Sequence, residues 1–127
     1  MTVQYTGVQS QHQAALDQGR FLIQRCGACQ RFVHFPRELC PHCGAMSLDF
    51  VEPAGTGTVH ATTVVQRPVE QGGSFNVCLV DLDEGVRLMS RVEGLAPGDV
   101  QVGQRVRARV QMKDGHGMVV FSSGAAA

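Results

Sequence analysis

From residue 56 onward, apolar and polar positions alternate in short runs separated by glycine- and aspartate-rich breaks, a period-two pattern that predicts β-strands. Thr58 to Gln66 is rich in Thr and Val, and Phe75 to Leu82 is an apolar strand around Cys78. Asp83-Glu84-Gly85 is a tight turn, from which Val86 to Val92 returns. Pro97 to Gly103 is a short connector, Gln104 to Met112 a further strand, and Asp114-Gly115-His116-Gly117 a second turn into Met118 to Phe121. Five strands with one connector after the third fit a Greek-key barrel of the OB type, with a small β-sandwich as the structural competitor. Gly55-Thr56-Gly57-Thr58-Val59 predicts a bend or bulge at the barrel's entry. It is not a phosphate loop, because no Gly-Lys-Ser/Thr and no helix follow. Gly72-Gly73 marks a flexible loop over 67–74.

The first third of the chain reads differently. Residues 1–19 are polar and glutamine-rich, and a short helix capped by Ser10 runs through Ala14, Ala15 and Leu16 to Gly19. Its apolar stripe is thin, so it either frays or docks on something. Phe21 to Arg25 is a strand leading into Cys26-Gly27-Ala28-Cys29, and Arg31 to Phe35 is the return, ended by Pro36. Ten residues separate Cys29 from Cys40-Pro41-His42-Cys43-Gly44. The expected organisation is a lead-in at 1–19, a ribbon at 20–46, a barrel at 47–122 and a small-residue tail at 123–127.

Two Cys-x-x-Cys turns joined by a short loop bring four thiolates to one tetrahedral metal, as in a zinc ribbon. Cys26, Cys29, Cys40 and Cys43 are therefore the expected ligands of a structural Zn2+. Iron in a rubredoxin-like site is the weaker alternative, since a closed zinc site has no redox role to explain. A full thiolate set leaves no position for a catalytic water. His34 and His42 lie near the ligands in sequence, but the pairs already complete the coordination. Cys78 is expected to be a buried thiol acting as a small hydrophobe.

The totals narrow the function. The chain has 127 residues, with Lys+Arg and Asp+Glu balanced at 11 each. Neutral charge disfavours a generic nucleic-acid binder, and no Trp and a lone Tyr5 leave little to stack bases on. No apolar run is long enough to span a bilayer, and Met1 to Ser10 lack the pattern of a secretory signal, so a cytoplasmic protein is expected. Lys113 is the only lysine; arginine suits defined contacts to carboxylates or phosphates. Arg105, Arg107 and Arg109 fall on one strand face, and Arg87 and Arg91 follow the same logic. They form either a solvated face paired with Asp81, Asp83 or Glu93, or an anion or partner patch. Arg20, Arg25, Arg31 and Arg37 punctuate the ribbon with few acids between them. No catalytic constellation can be nominated.

At this point the chain resembles a known family: small proteins with an N-terminal rubredoxin-like zinc ribbon and a C-terminal OB-fold that associate with acyl-CoA enzymes. The resemblance is carried by Gly19 to Cys29, Phe35 to Gly44, Gly55 to Val59 with Thr63 to Val65, Val80 to Leu88, and Val102 to Val106. It implies a non-catalytic subunit of a hetero-oligomer that stabilises a thiolase-like enzyme, or a hydratase or aldolase acting on CoA thioesters, and helps form its CoA site. The seven arginines at 20, 25, 31, 37, 105, 107 and 109 are then candidates to meet the partner or CoA phosphates. Gln30 departs from the glycine or basic residue common in relatives. A zinc-ribbon and OB-fold nucleic-acid-binding protein is the alternative reading.

Overall fold

A computed structural model of the chain describes residues 7–123. The start of the lead-in, with Tyr5, and the tail from Gly124 lie outside the described residues. Two compact units emerge: residues up to Pro53 with Val110–Met118, and Ala54–Arg109 with the residues from Val119 on.

In the first unit, α1 (Val8–Asp17) starts at Gly7 without a side-chain cap, so Ser10 lies inside the helix rather than at its N-cap. The end falls where glycine predicts it. Gly19, at φ 81°, donates its N–H to the Leu16 carbonyl (2.9 Å), and Arg20 donates to Ala15 (2.8 Å). The helix docks within its own unit. Gln13 donates to the Gly117 carbonyl (3.0 Å), and the Gly117 N–H donates to the Asp17 carboxylate (2.9 Å). A side chain at 117 would overlap the Leu16 carbonyl, so glycine is required there.

A three-stranded antiparallel sheet follows, ordered β2 (Phe32–Val33), β1 (Ile23–Cys26), β3 (Leu48–Val51). Ile23 sits opposite Val51, and Cys26 opposite Leu48. The sequence places residues 48–51 at the start of the barrel; instead they form the third strand of the ribbon sheet.

The second unit holds most of the OB barrel, whose last two strands also include Val110–Met118 of the first unit. Strands β4 (Thr56–Val65), β5 (Phe75–Leu82), β6 (Arg87–Ser90), β7 (Val92–Glu93), β8 (Arg105–Lys113) and β9 (His116–Ser123) run in the order β6-β5-β4-β8-β9-β7. β6 and β7 are two halves of one barrel strand, broken at Arg91. The first half pairs antiparallel with β5, and the second pairs parallel with β9, which closes the sheet on itself. Asn76, only 4% exposed, bridges the break: it donates to the Val92 carbonyl (2.8 Å) and accepts from the Val92 N–H (2.9 Å). Val59, Val80, Leu82, Leu88, Val106, Val120 and Phe121 fill the interior. Cys78 is buried among them, its thiol donating toward Thr62 Oγ1 (3.3 Å) and Asn76 Oδ1 (3.2 Å).

Three expectations shift in detail. The β4 bulge lies between Val59 and Ala61, not at Gly55–Gly57; Gly57 is required because a Cβ there would stand 2.6 Å from the Asp81 carbonyl. The β8–β9 turn is only Asp114-Gly115, both at positive φ (54° and 81°), the two-residue type that matches strand twist. The 67–74 loop carries a 3₁₀ turn at Val69–Gln71, and the Arg67 guanidinium lies 4.8 Å from the Phe75 ring centroid.

Candidate metal centre

β1 ends at Cys26, and its last backbone bonds shape the first knuckle. The Cys26 N–H donates to Arg31 (2.9 Å) and the Gln30 N–H donates back to Cys26 (2.9 Å), folding the chain through Cys29. Gln30 takes φ 69°, a left-handed value usually filled by glycine. Its side chain offsets that by donating to the Gly27 carbonyl (3.1 Å) and accepting from Arg25. The second knuckle repeats the device, with Gly44 N–H donating to Cys40 (2.8 Å) and Cys40 N–H to Ala45 (2.9 Å).

The four thiols converge. The sulfurs of Cys26, Cys29, Cys40 and Cys43 all lie within 4.8 Å of one another, and none is in a disulfide. Cys26 Sγ is 3.6 Å from Cys43 Sγ, and Cys29 Sγ is 3.7 Å from Cys40 Sγ. Four sulfurs at about 2.3 Å from a tetrahedral ion stand roughly 3.8 Å apart, so the cage has the size a zinc ion requires. Neither His34 nor His42 joins the group.

Electrostatics favour the same occupant. The Cys29 N–H points at Cys26 Sγ (3.5 Å) and the His42 N–H at Cys40 Sγ (3.4 Å), so amide dipoles stabilise thiolates. Cys26 is lowered to about 6, first by the Cys29 amide. Burial raises Cys40, but the amides of His42 and Cys43, with the neighbouring thiols, bring it below its ordinary value. The Ala45 amide pulls Cys43 down, yet the other thiols and burial push it up to about 11. Four thiolates this close repel one another, and only a cation among them lets all four ionise.

One feature that the sequence reading did not single out holds the second knuckle. Gln24, 1% exposed on β1, accepts from the Arg37 N–H (2.8 Å) and donates to the Arg37 carbonyl (2.9 Å). It fixes the loop three residues before Cys40. The available signal was an amide directly following the apolar run Phe21-Leu22-Ile23 in the same strand.

The arginines separate by unit. In the first, Arg25 lies 5.9 Å from the Phe32 ring centroid, Arg31 reaches His42 Nδ1 (3.3 Å), and Arg20 and Arg37 are exposed. In the second, Arg105 donates to both oxygens of Asp83 (2.8 and 2.9 Å), Arg87 to both of Asp81 (2.6 and 3.1 Å), and Arg91 pairs with Glu93 (2.8 Å). Arg107 and Arg109 share the exposed face of Arg105.

Residues 13–49 match the rubredoxin-like zinc ribbon domain of ChsH2, and residues 50–111 match its C-terminal OB-fold domain. The chain belongs to the ChsH2 family of zinc-ribbon and OB-fold proteins. It is 42% identical over 94 residues to the probable enoyl-CoA hydratase alpha subunit of Thermomonospora curvata, covering 72% of this chain and 30% of that one. The chain thus spans less than a third of that relative. A DUF35 domain-containing scaffold protein of Methanocaldococcus jannaschii is 28% identical over 105 residues, covering 76% of this chain and 74% of that one. Among solved structures, the Ltp2-ChsH2(DUF35) aldolase superposes with a TM-score of 0.81 at 32% identity, covering 97% of this chain and 98% of that chain. Membership in the ChsH2 family agrees with the four-thiol cage as a metal site and the β4–β9 barrel as an OB-fold. No helix among the described residues is long and apolar enough to cross a membrane.

Proposed function

We propose that this chain is a non-catalytic accessory subunit that binds and stabilises a thiolase-like acyl-CoA enzyme and contributes to its CoA-binding site. Cys26, Cys29, Cys40 and Cys43 hold a structural Zn2+ in this reading, and iron is the lesser candidate. The observation that carries the proposal is the closed four-thiol cage. Its donors fill a tetrahedral ion completely, so the metal shapes a surface instead of presenting an open position to substrate. The solved relative paired with an aldolase, and the one called a scaffold protein, support a role beside an enzyme.

The exposed arginines supply the contacts. Arg20, Arg25, Arg31 and Arg37 on the ribbon, and Arg105, Arg107 and Arg109 on the barrel, are proposed to meet the partner or CoA phosphates. Arg107 and Arg109 are better placed than Arg105, whose guanidinium already holds Asp83. The cytoplasm, where paired thiols stay reduced, is the proposed location. Against the nucleic-acid alternative stand the neutral charge and the outward face of β5, where Arg67 covers Phe75 and leaves Val77 and Leu79.

The test is recovery of the tagged chain from its own cells and identification of what accompanies it. A stoichiometric CoA-thioester enzyme, active in the complex while the tagged chain alone turns over no thioester, is the expected result. Thioester turnover by the chain alone, or recovery of nucleic acid in place of an enzyme, overturns the proposal.

A further inference from the structure

We infer that the loop between β2 and the second knuckle is a preformed docking element, presenting Phe35, Arg37 and Leu39 to an apolar, carboxylate-rimmed pocket on the partner protein. The inference deepens the accessory-subunit reading and rests on it for the partner's identity.

The loop is pinned from beneath. Gln24 gives both ends of its buried amide to the Arg37 backbone, at 2.8 and 2.9 Å. The His34 ring centroid lies 6.2 Å from that of Phe21 and 4.9 Å from that of Phe35, and Cys40 in the cage anchors the far end. Burying an amide and ordering a loop are both costly. Such ordering normally lets the loop's large side chains pack inward, and here they do the opposite. Phe35 is 62% exposed and Leu39 53% exposed, and the Arg37 side chain has no partner among the described residues. Positioning Cys40 alone requires nothing apolar at 35 or 39; polar side chains would serve as well.

An aromatic, an arginine and a leucine held rigid in water have the make-up of a binding hot spot, and a rigid loop loses little entropy on docking. Charge selects the other half of the contact. Between residues 20 and 46 there are four arginines and one acid, Glu38. None of the four is paired with a carboxylate among the described residues: Arg25 contacts Gln30 and Phe32, and Arg31 contacts His42. A surface both apolar and basic fits a protein pocket rimmed by Asp or Glu. CoA phosphates alone would use Arg37 and leave Phe35 and Leu39 in water.

The test places a photo-crosslinking phenylalanine analogue at position 35 of the full chain, expressed in its native cells, and at position 89 on the barrel as the comparison. Met89 is 68% exposed, so both sites are accessible. Position 35 is expected to give an adduct with one protein, identified by mass spectrometry, that position 89 does not capture. Arg37→Glu, which leaves the backbone clamp intact, is expected to weaken that complex about tenfold or more with metal content unchanged. Adducts of equal yield at both positions, no adduct at 35, or full affinity in the metal-replete Arg37→Glu chain would overturn the inference. The two readings fail separately. A partner that co-purifies without an adduct at 35 sinks the docking loop alone. An adduct at 35 with a protein that does not act on CoA thioesters supports the loop and sinks the accessory-subunit reading.

Discussion

Among the described residues, the barrel unit buries eleven apolar side chains, from Val59 to Phe121, whereas the ribbon unit buries seven, two of which are the metal-site thiols Cys26 and Cys40. Each buried aliphatic or aromatic side chain contributes about 1.5–3 kcal/mol, so the barrel has the means to fold on apolar packing. The ribbon does not. A metal held by the four thiols is the proposed missing term; in small zinc modules a structural zinc contributes roughly 10–16 kcal/mol. Both units nonetheless use one device: a buried amide that takes the place of a neighbouring strand, Gln24 on Arg37 in the ribbon and Asn76 on Val92 in the barrel. The difference lies in where the stabilisation comes from, the similarity in how a chain break is bridged.

Removing the metal breaks the comparison most sharply. Chelation, or Cys40→Ser, is expected to unfold the ribbon while barrel amides such as Val80 and Val106 keep their hydrogen-exchange protection. Equal loss of protection in both units would show that the barrel depends on the metal too. Gly117→Ala is next. Its methyl group would collide with the Leu16 carbonyl, so α1 should detach at a cost of about 3 kcal/mol, read by thermal unfolding and by exposure of His12. The paired substitutions Gln24→Leu and Asn76→Leu should each cost about 1–3 kcal/mol, because each strands a backbone N–H and carbonyl. Only the first should also lower metal affinity.

Acid separates the units more finely. Burial, and then the nearby His12, lowers His34 from 6.5 to about 4. The unfolded chain therefore binds a proton at pH values where the folded ribbon does not, and ribbon stability falls as pH drops from about 6.5 to about 4. His34→Phe should remove that part of the slope and leave whatever the thiolates contribute. In the barrel, the hydrogen bonds from Arg105, then from Thr56, hold Asp83 well below the usual carboxylate range. That contribution is present above the unfolded value of 3.8 and is lost only as pH falls below it. Denaturation curves at pH 7, 5 and 3.5 should show the ribbon failing first; coincident losses would contradict the assignment. The smallest effect belongs to Arg87→Ala. Its ion pair with Asp81 is half exposed and screened by solvent, so little stability should be lost.

What could be read from the chain beforehand follows the range of the interactions. The two knuckles, the Gly19 stop and the Asp83-Glu84-Gly85 turn depend on residues a few positions apart, and spacing reveals them. The same holds for the outward row of Arg105, Arg107 and Arg109. The docking of α1 on Gly117 joins residues 100 positions apart, and a thin apolar stripe carries no record of it. Leu48–Val51 alternates like any strand, so its choice of β1 as neighbour is a tertiary decision. Gln24 and Asn76 did leave a trace, each a polar interruption at an inward position of an apolar strand. Their partners, 13 and 16 residues away, could not be named from the sequence. The bulge was expected at the glycines, yet it falls beside His60, where β4 changes register against β5.

The central claim is that a metal, held by four thiolates, supplies the stability that the ribbon's small core lacks. Elemental analysis of the chain purified without chelator, combined with thiol counting, tests it directly. The account predicts close to one zinc per chain, with Cys26, Cys29, Cys40 and Cys43 unreactive until the metal is removed. Near-zero metal in a folded protein whose four thiols all react at once would contradict it.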